Sequence, residues 1–260
     1  MALPRMLRAW TPIWVVACVL WCRVGSAADV QVAVASNFAP PMERIAAEFA
    51  KDVGHRAVVS AGATGSLAAQ IRNGAPFDVF LAADAKTPAA LETDKLAVAG
   101  TRFTVAYGRL VLWSARPGFV DPAGEVLRRG AFRHLAIANP TLAPYGQAAL
   151  EVLHALGLGD VLGPKIVQGE NVAQTATFVA TGNAELGFVA LSQVVAPGHA
   201  AGGSSWVVPA SLYSAIRQDG VLLTRGASNP AARALLDYLK SAKIKELLRD
   251  YGYGVDAISK

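Results

Sequence analysis

Four short turns carry residue types that could bind a solute, and each lies between an apolar strand-like run and a helix-like run. They contain, in chain order, Ser36-Asn37, Ala63-Thr64-Gly65-Ser66, Tyr145-Gly146 and Asn171-Val172. Hydroxyls, the asparagine amide and main-chain N–H groups are uncharged hydrogen-bond donors. A helix N-terminus adds unpaired N–H groups and about half a positive charge. Several such ends aimed at one point bind an anion without any cation.

The composition of these turns favours neutral donors over charged ones. None of them places Lys, Arg or His at the critical position, and the one acid, Glu170, lies at an edge. Proline at positions 40 and 41 removes two donors from the first turn, which leaves the N–H groups of Asn37, Phe38 and Ala39. The alternative is that these residues are plain helix N-caps and that Tyr145 packs in the core.

The order of elements predicts where the turns lie. Three β-then-α units start at "VQVAVAS", "HRAVVSAGAT" and "FDVFLAAD", and a second α/β series opens at "HLAIANP". The segment "RFTVAYGRLVLWSA" is strand-like, "APGHAAGGSSW" is loop-like, "AIRQDGVLLTR" is strand-like, and "PAARALLDYLKSAKIKELLRDYG" is one helical stretch. Two such series predict two lobes with a cleft between them, and ligands bind beyond the carboxyl ends of the strands.

The first residues predict export rather than a folded element. "MALPRMLR" is basic, "AWTPIWVVACVLW" is an apolar run of 13 residues, and Gly25 and Ala27 supply small residues at a cleavage site, which is typical of a signal peptide. The run is shorter than the ~18–20 apolar residues of a membrane span. A lipoprotein anchored through Cys18 is the alternative. Cleavage near Ala27 removes both Cys18 and Cys22, so disulfides, thiolate metal sites and cysteine nucleophiles are excluded from the mature chain.

Charge argues against nucleic acid as a partner. The chain has 24 basic and 19 acidic residues, for a net charge of +5. Three arginines and no acid lie in the signal segment, which leaves 21 basic against 19 acidic residues, a net charge of +2. No polybasic run is present.

Six stretches of the mature chain carry a resemblance to a known family. They are "ASNFAPPMERIAAEF", "SAGATGSLAAQIRNGAPFDVFLAADAKTP", "RFTVAYGRLVLWSA", "LAIANPTLAPYGQAALEVL", "GENVAQTATFVATGNAELGFVAL" and "LLDYLKS". The chain resembles the periplasmic molybdate-binding proteins of molybdate ABC transporters, within the type 2 solute-binding proteins. The resemblance implies an α/β, two-lobed periplasmic-binding-protein fold with mixed sheets flanked by helices and a ligand cleft between the lobes. We expect a signal peptide at 1–27, one lobe from 28–107 and 213–260, and the other from 108–212.

The same resemblance implies a set of ligand-binding residues and one departure. Carried over by position, the ligands of the oxyanion are Ser36, Asn37, Thr64, Tyr145 and the main-chain N–H of Val172. Some members of the family place a ligand tyrosine where this chain has Ala190, which supplies no such donor. Either the Tyr145 hydroxyl compensates for it or the Tyr145 backbone alone binds.

The implied function is capture of molybdate, and of tungstate, for delivery to ABC permease subunits in the inner membrane by a monomeric periplasmic protein. No cofactor and no catalytic residue is implied, and molybdenum enters only as the bound oxyanion. Molybdate is a dianion whose oxygens only accept hydrogen bonds, which suits a site of donors. The alternatives are a binding protein for sulfate or phosphate, or an exported hydrolase.

The hydrolase alternative and a metal site both rest on few residues. A hydrolase would use Ser36, Thr64 or Ser66 as its nucleophile and a histidine as its base. The histidines are His55, His134, His154 and His199, and none falls in the four turns. Metal binding would rest on Asp78 and Asp84 alone, and Asp84 is expected to cap the following helix.

Overall fold

The computed structural model describes residues 28–198 and 201–255. The predicted signal peptide and His199 lie outside the described residues. Within them, the strands are β1 (Asp29–Ala35), β2 (Arg56–Gly62), β3 (Val79–Ala82), β4 (Phe103–Gly108), β5 (Leu110–Ser114), β6 (Leu135–Ala138), β7 (Ile166–Gly169), β8 (Leu186–Ala190), β9 (Ser204–Val207) and β10 (Ile216–Leu222). The α-helices of the same residues are α1 (Ala39–Val53), α2 (Thr64–Arg72), α3 (Lys86–Thr93), α4 (Val126–Arg129), α5 (Pro144–Ala155), α6 (Gly159–Leu162), α7 (Val172–Ala180), α8 (Leu191–Val194), α9 (Pro230–Leu239) and α10 (Ala242–Asp250).

The strands form two mixed sheets, one in each domain. The first sheet has the order β2-β1-β3-β10-β4 and the second has the order β7-β6-β8-β5-β9. In the first, β1 is parallel to β2 and β3, while β10 is antiparallel to β3 and β4. In the second, β6 is parallel to β7 and β8, while β5 is antiparallel to β8 and β9. The two domains therefore repeat one pattern of pairing.

The chain crosses between the sheets within a segment that the sequence predicts as a single strand-like run. Strand β4 ends at Gly108 in the first sheet, and β5 begins at Leu110 in the second, so Arg109 alone separates them. The return crossing lies between β9 and β10. The prediction of a loop after α8 is partly wrong, because β9 lies at the end of that stretch and pairs with β5.

The first sheet is covered by helices on both faces, which explains its strongly apolar strands. Val30, Val32 and Val34 of β1 pack with α1, α9 and α10, whereas Ala33 and Phe80 pack with α2 and α3. Successive residues of a strand point to opposite faces, so one strand supplies both cores. This arrangement holds the ends of β1 and β2 rigidly beneath the helices that follow them.

The second sheet has its own core. Leu110, Leu112, Leu135 and Phe188 are fully buried and cluster with side chains of α5 and α7. Because β6 and β7 are parallel and lead into α5 and α7, both helices begin at the carboxyl edge of this sheet. The prediction that four turns lead into four helices is confirmed, with α1, α2, α5 and α7 as those helices.

The C-terminal helical stretch predicted from the sequence consists of two helices. Helix α9 ends at Leu239 and α10 begins at Ala242. The Ser241 side chain accepts a hydrogen bond from the Ile244 N–H at 3.4 Å and caps α10. The sequence alone hides this break because Lys240 and Ser241 interrupt no hydrophobic periodicity.

A charged cluster ties the hinge-side strands of the first sheet together. The carboxylate of Asp219 in β10 is fully buried and accepts hydrogen bonds from Arg102 at 3.0 Å, Thr104 at 2.8 Å and Arg217 at 3.3 Å. All three donors lie on β4, on β10 or just before β4. A buried charge is tolerated when such partners surround it.

We expect Asp219→Ala to lower the free energy of unfolding by ~2 kcal/mol, because it removes a buried carboxylate that three partly buried donors share and leaves a void in its place. Urea denaturation measures this change through the midpoint at constant slope. Asp94→Ala is the control, since Asp94 pairs with Arg72 at 3.1 Å on the surface and such pairs contribute ~1 kcal/mol or less. Equal losses in the two variants would contradict the structural role of Asp219.

Candidate functional site

The five residues predicted to bind a ligand line one small cavity between the domains. Its volume is about 10 Å³, close to the space that a single water molecule needs. Its lining consists of Ala35, Ser36, Asn37, Gly62, Ala63, Thr64, Ala83, Ala143, Pro144, Tyr145 and Val172. None of these residues carries a charge. A cavity this small suits a compact solute rather than a sugar or a peptide.

The first turn contributes a hydroxyl from Ser36 and holds Asn37 by its side chain. Residues 36–38 form a 3-10 turn, and the Ala39 N–H donates back to the Ser36 carbonyl oxygen. The prediction that the Ala39 N–H binds a ligand is therefore wrong, because that donor is used within the turn. The Ser36 hydroxyl makes no hydrogen bond among the described residues and lines the cavity.

The Asn37 side chain is committed to a buried network that crosses the domain boundary. Its Nδ2 donates to Gln218 Oε1 at 2.9 Å and to the Tyr253 hydroxyl at 3.0 Å. Its main-chain carbonyl oxygen accepts from the Tyr253 hydroxyl at 2.8 Å and from Ser192 Oγ at 3.1 Å. Burial raises the pKa of the Tyr253 phenol above its ordinary value, so the phenol stays a neutral donor. Both hydrogens of the Asn37 amide are thus used to position the turn.

The second turn places a hydroxyl with a defined donor direction. Thr64 is the first residue of α2, and its Oγ1 accepts a hydrogen bond from the Ala83 N–H at 3.1 Å. Because one lone pair is occupied by Ala83, the hydroxyl hydrogen remains for another acceptor. The Thr64 N–H, at the first position of the helix, has no intrahelical partner.

In the second domain, α5 and α7 present main-chain donors. Tyr145 follows Pro144 in the first turn of α5, so its N–H has no acceptor in its own helix. Before α7, the Asn171 side chain accepts from the N–H groups of Ala173 and Gln174 at 3.0 Å and 3.1 Å. This cap leaves the N–H of Val172 as the unpaired donor of that helix.

Two glutamines near the site escaped prediction. Gln193 Nε2 donates to the Val172 carbonyl oxygen at 3.3 Å, and Gln193 Oε1 accepts from the Ala190 N–H at 3.0 Å. Gln193 therefore connects the Val172 turn to the end of β8. Gln218 holds Asn37 from β10. No sequence signal marks these residues, because they come from segments far from the turns that they support.

A cross-domain backbone contact closes the cavity. The Gly65 N–H, at the start of α2, donates to the Leu142 carbonyl oxygen at 2.9 Å. A Cβ on Gly65 would lie 3.2 Å from Leu142 Cα, so the two backbones approach as closely as the glycine permits. Together with the Ser192–Asn37 bond, this contact means that the described structure is a closed arrangement of the domains.

A larger groove lies beside the cavity but has different chemistry. It has a volume of about 530 Å³ and shares Ala83, Ala143 and Pro144 with the cavity. Asp84, Lys86 and Glu151 lie in its lining, so the groove carries charges of both signs, whereas the cavity carries none. Asp84 accepts from the Thr87 N–H at 2.6 Å, which confirms its predicted capping role.

The residues proposed for other chemistries are engaged elsewhere. Asp78 accepts from the Gln31 N–H at 2.9 Å and from Asn229 at 3.2 Å. His55 accepts from the Ala28 N–H at 3.3 Å. Among the described histidines, none lines the cavity.

The fold and the site together define a class of protein, the two-domain periplasmic-binding-protein fold with its site between the domains. A family profile described as "Bacterial extracellular solute-binding protein" matches residues 30–254, so the chain belongs to that family. None of the helices in the described part of the chain has the length and apolar character needed to span a bilayer.

Individual relatives narrow the comparison. The molybdate-binding protein ModA of Azotobacter vinelandii is 59% identical over 229 residues, which are 88% of this chain and 91% of that protein. ModA of Rhodobacter capsulatus is 48% identical over 228 residues, 88% of this chain and 89% of that protein. The structure of the Azotobacter vinelandii periplasmic molybdate-binding protein aligns with a TM-score of 0.85 at 42% identity, covering 87% of this chain and 99% of that one. These matches confirm the family resemblance and the predicted fold class.

We expect Tyr253→Phe to lower the free energy of unfolding by ~1–3 kcal/mol, because the Asn37 amide and carbonyl each lose a buried partner. Thermal or urea unfolding of the unliganded protein measures the loss. Tyr251→Phe is the matched control, since the Tyr251 hydroxyl makes no hydrogen bond among the described residues and should change stability by less than ~0.5 kcal/mol. If Tyr253→Phe left the free energy of unfolding unchanged, the bonds between the Tyr253 hydroxyl and Asn37 would contribute nothing to stability.

Proposed function

We propose that this chain is a periplasmic solute-binding protein that captures molybdate between its domains and delivers it to an ABC permease in the inner membrane. The observation that carries the proposal is the meeting, at an uncharged cavity, of four helix N-termini, those of α2, α5 and α7 and that of the 3-10 turn leading into α1, two from each domain. The two ModA relatives are named as molybdate-binding proteins, which supports molybdate over sulfate and phosphate as the ligand.

The physical basis is the match between a site lined by hydrogen-bond donors and an anion whose oxygens only accept hydrogen bonds. Each helix N-terminus contributes roughly half a positive charge, so four of them offset about two negative charges. Molybdate is a dianion at neutral pH, and none of its oxygens carries a proton. Protonated phosphate would also need an acceptor, and the described lining of the cavity has no carboxylate. Neutral donors avoid the desolvation cost of a buried lysine or arginine.

The donors are the hydroxyls of Ser36 and Thr64 together with the main-chain N–H groups of Asn37, Tyr145 and Val172. This assignment keeps the five predicted residues but changes the part played by Asn37. Its side chain positions the first turn through Gln218 and Tyr253, and its N–H is the group offered to the ligand.

The remaining expectations belong to the same proposal. The protein acts as a monomer after removal of a signal peptide near Ala27, with one domain from 28–107 and 213–260 and the other from 108–212. Tungstate, which has the same charge and shape as molybdate, is a second ligand. The anion is cargo, so neither a cofactor nor a catalytic step enters the proposal.

We expect Thr64→Val to weaken molybdate binding roughly 10- to 100-fold, because a hydrogen bond to a charged group contributes ~1.5–3 kcal/mol. Thr64→Ser keeps the hydroxyl and should bind within a few-fold of the wild type. Isothermal titration calorimetry measures both, with His134→Ala as a control outside the cavity. If Thr64→Val binds molybdate as tightly as Thr64→Ser, the hydroxyl does not contact the ligand.

We expect molybdate and tungstate each to raise the thermal unfolding midpoint by about 5–10 °C at ~100-fold excess over their Kd. Sulfate at the same concentration should raise it much less, because its shorter bonds leave oxygens out of reach of donors fixed at helix ends. Phosphate should have little effect, because its proton would face a donor. Differential scanning calorimetry tests all four ions. Equal shifts for sulfate and molybdate would indicate a general dianion binder, and a shift with phosphate alone would exclude the proposed ligand.

A further inference from the structure

The side chain of Tyr145 does not belong to the cavity in the way that its main chain does. Tyr145 is 2% exposed, and its hydroxyl makes no hydrogen bond although it is buried. Burial raises the pKa of this phenol well above its ordinary value, so it remains uncharged. The nearby Asn37 amide has the opposite, smaller effect on that pKa, but both of its hydrogens are already bonded to Gln218 and Tyr253. A buried hydroxyl without a partner is unfavourable. The position of the ring must therefore be fixed by packing rather than by its polar end.

The surface that receives the ring is the backbone of Gly108. A Cβ built on Gly108 would overlap the Tyr145 hydroxyl and lie 3.0 Å from its Cζ atom. Real Cβ atoms essentially never lie as close to another atom as this one would lie to the hydroxyl, so no residue other than glycine fits here while the Tyr145 hydroxyl stays in place. The same position is 3.1 Å from Gln218 Nε2, which is also buried without a partner.

Gly108 lies at the crossing between the two domains. It is the last residue of β4 in the first sheet, and the second sheet begins two residues later at Leu110. Tyr145 belongs to the second domain and lies in the first turn of α5, whose N–H faces the cavity. The ring therefore connects the hinge to one of the four helix N-termini.

We infer that Tyr145 is a positioning residue, whose ring seats the second domain against the bare backbone of Gly108 when the domains close. This inference rests on the proposed function and deepens it. The phenol does not bind the anion. It sets the angle at which the N-terminus of α5 meets the anion. Gln218, whose Nε2 lies beside Gly108, bonds through its Oε1 to Asn37 in the first domain.

The test is a double-variant cycle at Gly108 and Tyr145, with molybdate as the ligand. Gly108→Ala should weaken binding roughly 10- to 100-fold, because the added methyl overpacks a buried contact. Tyr145→Phe removes the hydroxyl but keeps the main-chain N–H, and its affinity is the reference against which the double variant is compared. Gly108→Ala combined with Tyr145→Phe should recover most of the lost affinity, because the overlapping atom is absent.

A control variant and a second measurement test whether Gly108→Ala acts through its contact with Tyr145 or causes a general packing defect. Gly254→Ala alters a glycine that pairs with Tyr107 beside Gly108, but its Cβ would lie 3.5 Å from the nearest atom, an ordinary contact. It should leave affinity unchanged. Small-angle scattering should show that saturating molybdate compacts the wild type and the double variant but not Gly108→Ala, while the unliganded unfolding midpoints stay within about 2 °C.

The outcomes distinguish the inference from the function on which it rests. If Gly108→Ala binds molybdate as tightly as the wild type does, the inferred positioning role of Tyr145 is wrong and the proposed function stands. Weak binding by Gly108→Ala with no recovery in the double variant would also overturn the positioning role, because the defect would then not involve the Tyr145 hydroxyl. A wild type that binds no molybdate would overturn the function, and the positioning role with it.

Discussion

The structure depends on how it places the unpaired N–H groups at the starts of α2, α5 and α7 and in the 3-10 turn that leads into α1. A helix cannot satisfy the first donors of its own backbone, and a buried donor without an acceptor is costly. Side-chain caps satisfy some of these donors, as Asn171 does for Ala173 and Gln174 in α7 and as Ser241 does for Ile244 in α10. At the cavity the chain instead directs the remaining donors to one point between the domains. A small anion that only accepts hydrogen bonds would satisfy all of these donors at once, which connects the fold to the proposed ligand.

Two sheets of the same pairing pattern are what bring these ends together. Each has a central parallel strand whose carboxyl end leads into a helix, and each receives an antiparallel strand from the crossing segments. The donors therefore come in pairs that move as rigid units, and closure depends on a few contacts across the boundary. The Gly65–Leu142 bond and the Asn37–Ser192 bond are two of these contacts. Both involve main-chain atoms, which fixes the separation of the domains more firmly than long side chains could.

The sequence predicted what is local and missed what is distant. Strand, turn and helix follow one another within about a dozen residues, so the four turns and their donors were visible from hydrophobic periodicity and turn composition. The role of the Asn37 side chain was not visible, because its partners Gln218 and Tyr253 lie 181 and 216 residues away. The division of "RFTVAYGRLVLWSA" between two sheets was also hidden, since both halves have the same strand-like composition. Tertiary pairing decides such cases, and no local propensity reports it.

The three residues Arg217, Gln218 and Asp219 show how strand alternation keeps charge away from the cavity. Neighbours on a strand point to opposite faces. Although the pairing of β10 with β4 shifts register between Gln218 and Asp219, Arg217 and Asp219 bond to each other and to Thr104. Gln218 points the other way and bonds to Asn37. A shift of one residue would turn a buried carboxylate towards the site, where it would repel an anion. With charge sorted in this way, the cavity distinguishes solutes by the reach and direction of neutral donors, so its selectivity depends on how closely the two domains can approach.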